Sequence, residues 1–399
     1  MDTRLSIAKI PGRFSRITSS GNYIAEVDGL RFIAIMPVLI QHLSERLYRY
    51  SDIEWAQPVA KDPFAFLASR GTIGVYLFFA ISGFILCLPF AKYHLLNGRR
   101  VPLGAYFWRR VTRLEPPYFF WMTFFFLILL AYDPLGIEAL FSHWGYSLVY
   151  LHNIAYEEYT PINPVAWSLE IEIQFYLLAP FLAAFFFSVK KAGWRRLLLV
   201  GSIFGFISLQ QLFGWLALPY KLSLLGQLQH FLVGFLMADL YLAQWQAGAG
   251  KQRRLLDFAA VLAFFTLCFT WSEEWGKNIV FALALILLFW AGLRARAFNA
   301  FLRNPWIAAI GGMCYTIYLI HLPLIEGLIR FSRYLKWTNW FGANLLLQAV
   351  VVLPAVLAVS AIFFLLLEKP FMDKHWPARL ACWLKGRGRR ALSLKKVEQ

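Results

Sequence analysis

The sequence predicts an all-α integral membrane protein of about ten transmembrane helices, with both termini in the cytoplasm. Three observations lead to this prediction. The chain of 399 residues is 59% hydrophobic and only 15% charged, whereas a soluble chain carries about 25% charged residues. Its apolar residues fall into separate segments that are each long enough to span a bilayer. Lysine and arginine collect on alternate connections between these segments, as they do in the cytoplasmic loops of membrane proteins.

The positive-inside rule sets the orientation and the domain boundaries. With the N-terminus inside, most lysines and arginines fall on inner connections, which places both termini in the cytoplasm. We expect a cytoplasmic tail over 1–25, a transmembrane domain over 26–368 and a basic amphipathic tail over 369–399. The connection at about 133–165 contains no lysine or arginine and is expected to cover the outer face. The apolar segments lie at about 30–49, 72–91, 115–132, 166–188, 196–216, 222–242, 255–271, 278–293, 306–328 and 343–367.

The charge and the cysteines argue against two other classes of protein. A net charge of +17 would suggest nucleic-acid binding in a soluble chain, but here the positive residues follow the topology. No basic run is interleaved with aromatic residues on a soluble fold, so no nucleic-acid partner is expected. Cys87, Cys268, Cys314 and Cys382 lie far apart without CxxC spacing, which indicates neither a disulfide framework nor a metal site.

The first apolar segment carries an arginine at its start and a histidine deep inside it. If Asp28 caps the helix at the inner surface, His42 lies ~18 Å along the helix axis. That is near or just past the middle of a bilayer core of ~30 Å. An imidazole there needs a polar partner, a cavity or a chemical role. Pro37 removes a backbone hydrogen bond one turn before His42, so a kink can open space beside the ring.

Two more ionisable side chains are predicted at a matching depth. Glu172 lies ~21 Å and His321 ~22 Å from the inner surface. Two imidazoles and a carboxylate at one depth fit a general base, an orienting acid and a helper in one site. Alternatively, each group only satisfies a buried hydrogen bond. Glu170 points about 200° away from Glu172 on a helix and, nearer the outer surface, can be hydrated.

A basic cluster lies on the connection that precedes the third apolar segment. Arg110 and Arg113 are one helical turn apart and can face the same way at the membrane surface. Arginine binds phosphate through two parallel hydrogen bonds, so with Arg31 they fit a phosphorylated donor on the cytoplasmic side. The alternative is that these arginines only follow the positive-inside rule.

Other polar side chains can line a cavity between the segments. Tyr315, Tyr318 and His321 follow one stripe of the ninth helix. Ser82 lies about mid-membrane, where it can line a polar tunnel, and no Ser–His–Asp order supports a role as nucleophile. The neighbouring Gly83 is explained by close packing of helices.

Five motifs follow one another between residue 26 and about residue 325. They are Asp28-Gly29-Leu30-Arg31 with His42; Gly74-Val75-Tyr76-Leu77-Phe78-Phe79 with Ser82-Gly83-Phe84; Arg109-Arg110-Val111-Thr112-Arg113-Leu114-Glu115-Pro116; Trp167-Ser168-Leu169 with Glu172 and Phe175-Tyr176; and Tyr315-Thr316-Ile317-Tyr318-Leu319-Ile320-His321. Together and in this order they resemble the acyltransferase type 3 family of membrane acyltransferases. Cys314 stands where that family usually has a serine.

The resemblance implies an enzyme that moves an acyl group, acetyl by family default, from cytoplasmic acyl-CoA to a hydroxyl of a carbohydrate or lipid-linked glycan. The acceptor would lie on the far side of the bacterial inner membrane, and His42 would act as a general base or a transient acyl carrier. Acyl-CoA is then a substrate, and no cofactor is bound permanently. The predicted catalytic residues are His42, Glu172 and His321, and the predicted donor-binding residues are Arg31, Arg110, Arg113, Ser82, Tyr315 and Tyr318.

Two alternatives remain open at this point. The first is a transporter or flippase of an anionic lipid-linked sugar, with the same arginines as its entry site, although no convincing internal repeat supports it. The second is an acyltransferase with succinyl-CoA as donor, or with a small molecule or an amino group as acceptor. Many relatives append a periplasmic esterase-like domain, which we expect this chain to lack. The expected partners are the acyl-CoA donor, the acceptor and membrane lipids.

Overall fold

The computed structural model describes residues 10–17, 23–132, 135–246, 253–373 and 375–381. In these ranges the regular structure is helical, apart from one isolated bridge between Arg253 and Ala295. The prediction of an all-α chain is therefore confirmed for the part that the structure describes. Most of the predicted basic tail, residues 382–399, lies outside it.

The helices pack into one bundle whose long members lie side by side. They are α1 (Ile10–Arg13), α2 (Ala25–Tyr50), α3 (Pro63–Ala68), α4 (Ile73–Leu96), α5 (Leu103–Tyr132), α6 (Ile137–Leu148), α7 (His152–Tyr156), α8 (Trp167–Ser188), α9 (Ala192–Phe213), α10 (Leu224–Gln246), α11 (Leu255–Thr270), α12 (Trp275–Arg294), α13 (Ala297–Leu302), α14 (Pro305–Gly312), α15 (Cys314–Ser332), α16 (Phe341–Phe363) and α17 (Lys369–Phe371). A π-helical turn, Phe364–Glu368, joins the last two.

Eight stretches of the described chain are long and apolar enough to cross a membrane. They comprise α2, α3 with α4, α5, α8, α9, α12, α15, and α16 with the segment that follows it. Helix α11 is apolar but has 16 residues, and α10 carries glutamine, histidine and aspartate within its length. The predicted apolar segments all coincide with helices. A count of ten spans, and the side on which the termini lie, remain predictions.

Two helices begin earlier than predicted. Helix α2 begins at Ala25, so Asp28 lies inside the first turns instead of capping the helix, and its carboxylate pairs with Arg31. Helix α5 continues through Pro116, which cannot donate a backbone hydrogen bond to the carbonyl of Thr112. The indole of Trp376 donates to that carbonyl instead, at 2.9 Å. Arg110 and Arg113 therefore lie on a long helix and not in a connection.

The predicted ninth segment is not one helix. It breaks at Met313 into α14 and α15. At the break, a Cβ atom on Gly311 would lie 1.7 Å from the carbonyl oxygen of Asp28. The end of α14 therefore rests directly on the backbone of α2, and α15 starts from inside the bundle.

The segment expected to cover the outer face instead folds back along α5. The ring of Phe126 stacks on Trp144 of α6. The Tyr118 hydroxyl then donates to the carbonyl of Ser147 at 2.9 Å, and the Tyr150 hydroxyl donates to Glu115 at 2.9 Å. These contacts run antiparallel along α5, and Glu115 lies ~25 Å before the end of that helix. The segment therefore packs along α5 toward the middle of that helix, and it does so although it contains no lysine or arginine.

Glycines allow α4 to touch the backbones of helices on both its sides. A Cβ atom on Gly74 would lie 1.9 Å from the carbonyl oxygen of Ala34 in α2. A Cβ atom on Gly83 would lie 2.1 Å from the carbonyl oxygen of Phe231 in α10. These distances are too short for any larger side chain, which agrees with the packing role inferred for Gly83 from the sequence.

Replacing Gly83 by leucine should destabilise the protein. The added side chain would separate α4 from α10, and overpacking of this kind typically costs about 1–3 kcal/mol. Thermal unfolding in detergent, followed by fluorescence-detected size exclusion, measures the effect. Gly205→Leu on α9 is the matched control, because a Cβ atom there meets nothing within 4 Å. Equal midpoints for the two variants would contradict the packing role.

Candidate active site

Two groups of ionisable side chains lie along α2, one near each end. The arginine cluster contains Asp28, Arg31, Arg110, Arg113 and Glu172. The histidine cluster contains His42, Glu45, Arg46, His321 and Glu326. Arg31 and His42 are ~16 Å apart along the axis of α2.

His321 holds one nitrogen free inside the bundle. Its side chain is fully buried, and its Nδ1 lies 2.8 Å from the carbonyl oxygen of Tyr318 and 3.1 Å from that of Ile317. Carbonyl oxygens only accept hydrogen bonds, so Nδ1 carries the proton and Nε2 keeps its lone pair. No described side chain or backbone group pairs with this Nε2. The free nitrogen can accept a proton or a hydrogen bond from a ligand.

His42 lies directly beside His321. The centroids of the two rings are 5.2 Å apart. The side chain of His42 keeps 20% of its surface exposed, so it is not sealed among aliphatic groups. Its Nδ1 lies 3.0 Å from Glu45 Oε2. With Nδ1–H donating to this carboxylate, Nε2 of His42 is left as a base.

Glu45 is a site residue that the sequence reasoning missed. The amide of Gln41 donates to its Oε1 at 2.9 Å, and Arg46 donates to its Oε2 at 3.1 Å. Arg46 also donates to Glu326 of α15 at 2.8 Å, which ties the two helices that carry the histidines. The signal was present in the sequence, since position i+3 on a helix lies on the same face as His42.

The arginine cluster contains guanidinium groups with different surroundings. Arg31 pairs with Asp28, which also lies 3.6 Å from Arg16. Arg110 donates to the carbonyl of Tyr106 at 3.0 Å and lies 3.7 Å from the centroid of that ring. Arg113 has two buried nitrogens, Nε and Nη2, that find no hydrogen-bond partner within the described ranges. Leaving such charged donors unpaired is costly, and an anionic ligand would satisfy them.

Glu172 lies in the arginine cluster and not at the depth of the histidines. It accepts a hydrogen bond from Ser82 Oγ, whereas Gln41, the residue before His42, accepts from the backbone of Thr72 at 2.8 Å. Ser82 lies ~15 Å beyond Thr72 along α4. The matched-depth prediction is wrong for Glu172 because α8 begins inside the bundle, after the segment that folds back along α5.

Glu170 also differs from expectation. Its side chain is fully buried and accepts a hydrogen bond from the backbone N–H of Asn153 at 2.8 Å. Hydration at the outer surface is therefore excluded for this residue. It anchors the folded-back segment to the first turn of α8.

The two tyrosines of α15 lie between the clusters, and protein groups already occupy their hydroxyls. Tyr315 donates to the carbonyl of Leu114 at 2.8 Å, and Tyr318 donates to that of Val165 at 2.9 Å. The Tyr318 ring lies 5.7 Å from that of His321. Asn163, which the sequence reasoning also missed, donates to the carbonyl of Leu319 at 2.9 Å. These contacts position α15 and its histidine.

Comparison with known proteins supports the resemblance seen in the sequence. A family model described as an acyltransferase domain matches residues 24–365. The O-acetyltransferase OatA of Staphylococcus aureus (strain NCTC 8325 / PS 47) is 27% identical over 338 residues, which cover 77% of this chain and 51% of the relative. A putative O-acetyltransferase of Staphylococcus aureus (strain COL) is 24% identical over 338 residues, covering 76% of this chain and 51% of the relative.

The chain thus spans about half the length of these curated relatives. No solved structure matches it. The eight apolar helices together with the family indicate a multi-pass membrane protein. Since the family model extends over residues 24–365, which is most of the sequence, the chain belongs to the acyltransferase type 3 family.

Proposed function

We propose that this protein is a membrane O-acyltransferase of the bacterial inner membrane. It moves an acyl group, acetyl by default, from cytoplasmic acyl-CoA to a hydroxyl of a carbohydrate or lipid-linked glycan on the far side. The observation that carries the proposal is the pairing of His42 with Glu45 beside the free Nε2 of His321. The match to an acyltransferase family, and relatives named as O-acetyltransferases, support this reaction over a transporter.

The arginine cluster is the proposed site for the phosphates of the donor. The unpaired nitrogens of Arg113 and the unpaired Nε of Arg110 supply donors of the kind that bind phosphate oxygens. The charge of Arg31 is neutralised by Asp28, so Arg31 would contribute less to binding the phosphates than Arg110 and Arg113. With the phosphates held here, the long arm of the donor extends along α2 toward His42, past Ser82 and Glu172.

The histidine cluster is the proposed site of acyl transfer. Nε2 of His42 takes the proton of the acceptor hydroxyl while the hydroxyl oxygen attacks the thioester carbon. The carbon–sulfur bond then breaks, and the imidazolium returns the proton to the departing thiolate, giving an ester and free CoA. The Glu45 carboxylate stabilises the imidazolium through Nδ1–H. In the alternative route His42 first takes the acyl group itself and then passes it to the acceptor.

Replacing His42 by alanine should abolish transfer without preventing membrane insertion. Loss of a general base typically lowers a rate by about 10²–10⁴-fold. The assay measures free thiol released from acetyl-CoA in the presence of acceptor glycan, with the purified protein in detergent. His94→Ala is the control, because that histidine lies in the last turn of α4, ~18 Å beyond Ser82 along the helix axis. Retained thiol release and glycan acylation in His42→Ala would overturn the proposal.

Replacing Glu45 by glutamine should lower kcat by roughly 10- to 100-fold and leave KM for acetyl-CoA unchanged. The amide keeps the shape of the side chain but loses the charge that stabilises the imidazolium. Steady-state kinetics separate the two parameters. Glu54→Gln, at an exposed position of the connection after α2, is the matched control. A kcat within twofold of the natural chain would remove Glu45 from the mechanism.

Replacing Arg113 by alanine should raise KM for acetyl-CoA by about 10- to 100-fold, the value of one or two charge-assisted hydrogen bonds. With S-acetyl pantetheine, which lacks the phosphates, the variant and the natural chain should react alike. Arg100→Ala, at an exposed position between α4 and α5, tests whether positive charge alone matters. An equal rise in KM for both thioesters would place the phosphates elsewhere.

A further inference from the structure

A second site lies on the other side of α4. A partly enclosed cavity of about 360 Å³ is formed at the start of α4, α10 and α12, and its volume is typical of ligand pockets. Tyr76, which lines it, follows Gly74 by two residues and so points about 200° away from it on the helix. Gly74 faces Ala34 of α2. The cavity is thus separated from the His42 side of the bundle by α4 itself.

Residues that line this cavity carry buried polar atoms without hydrogen-bond partners. Gln227 Oε1, His230 Nδ1 and Asn278 Nδ2 belong to residues that line it, and nothing in the described chain pairs with them. Gln227 and His230 are only 2% and 6% exposed. The amide of Gln227 donates to the carbonyl of Lys221 at 3.0 Å, which fixes its Oε1 as a free acceptor. Buried groups of this kind are normally satisfied, so a ligand or water must supply the missing bonds.

A chain of amides determines which nitrogen of His230 carries the proton. Gln210 donates to the carbonyl of Leu225 at 2.8 Å and to Gln229 Oε1 at 2.7 Å. The NH₂ group of Gln229 therefore faces His230 Nε2, at 3.2 Å. Since Nε2 accepts, Nδ1 of the neutral ring is the N–H donor. The cavity thus offers free donors and a free acceptor, a combination that suits hydroxyl groups, which both donate and accept.

The remaining walls are aromatic, and the charges at the rim cancel. The ring of His230 stacks on Tyr76 with centroids 4.5 Å apart, and Phe281 meets Tyr76 edge-on at 5.6 Å. Trp271 also lines the cavity. Lys221 and Glu273 pair with each other at 3.1 Å, so no net charge is left to select an ion. Flat apolar faces combined with neutral hydrogen-bonding groups suit a sugar ring.

We propose that this cavity binds a sugar unit of the glycan acceptor, at a distance from the unit that is acylated. The inference rests on the proposed acyltransferase function and names how the acceptor is held. Tyr159, exposed on the segment before α8, meets Trp167 edge-on with ring centroids 6.2 Å apart. Trp167 also meets Phe79 of α4, one turn after Tyr76, at 6.3 Å, and the next residue, Ser168, bonds to the Tyr318 hydroxyl at 2.7 Å. The Tyr318 ring in turn lies against His321. An extended glycan passing over Tyr159 would contact the cavity and the histidine cluster together.

The test compares acceptors of increasing length, from a single unit to oligosaccharides cut from the envelope glycan. In the natural chain, KM for the acceptor should fall as units are added. Trp271→Ala and Gln227→Leu should raise KM for the longer acceptors about tenfold and leave kcat and KM for acetyl-CoA unchanged. Trp275→Ala is the matched control, since this tryptophan begins α12, four residues after Trp271, and does not line the cavity.

Calorimetric binding of the oligosaccharides without acyl-CoA separates this inference from the proposed function. Binding that is lost in Trp271→Ala and Gln227→Leu but kept in Trp275→Ala supports the sugar site, whether or not transfer is observed. Transfer that proceeds with unchanged acceptor KM and unchanged binding in both cavity variants overturns the sugar site and leaves the enzymatic proposal standing. A natural chain that neither binds nor acylates the glycan overturns both.

Discussion

Three carbonyl groups released by prolines inside apolar helices accept hydrogen bonds from side chains of other segments, and these bonds tie the helices around the candidate site together. A proline frees the carbonyl four residues earlier, and no water is available in an apolar interior to pair with it. Pro116 frees Thr112, which accepts from Trp376. Pro180 frees Tyr176, which accepts from Tyr106 at 3.2 Å. Pro323 frees Leu319, which accepts from Asn163. Each bond joins two segments that carry or border the candidate site.

Charged groups at both levels of the candidate site have partners. Asp28 pairs with Arg31 in the arginine cluster, and Arg46 pairs with Glu45 and Glu326 in the histidine cluster. The exception is Arg113, whose Nε and Nη2 are buried and find no partner in the described chain. In the histidine cluster, Nε2 of His321 likewise has no hydrogen-bond partner in the described chain. A donor that is anionic at one end and reactive at the other matches both deficits.

Sequence reasoning predicted the all-α class, the family, and the proximity of His42 to His321, because these depend on local periodicity and on motifs. It did not predict the features that depend on where each helix begins, such as the position of Glu172. The depth of Glu172 was calculated from a helix that starts at the membrane surface. Helix α8 instead starts inside the bundle, after a segment whose lack of lysine and arginine is typical of an outer loop. Glu45 was missed because no depth argument pointed to a residue so near the helix end. Asp28 was taken for a cap because its type is favoured there.

The close backbone contacts of α4 have a mechanical consequence. At Gly74 this helix packs directly against the backbone of α2, and at Gly83 it packs against that of α10. Helix α4 is therefore in van der Waals contact with a neighbouring backbone on two opposite sides. Rotating or sliding it would drive other side chains into neighbouring carbonyls. We infer that α2, α4 and α10 keep their relative positions and move, if at all, as one rigid unit.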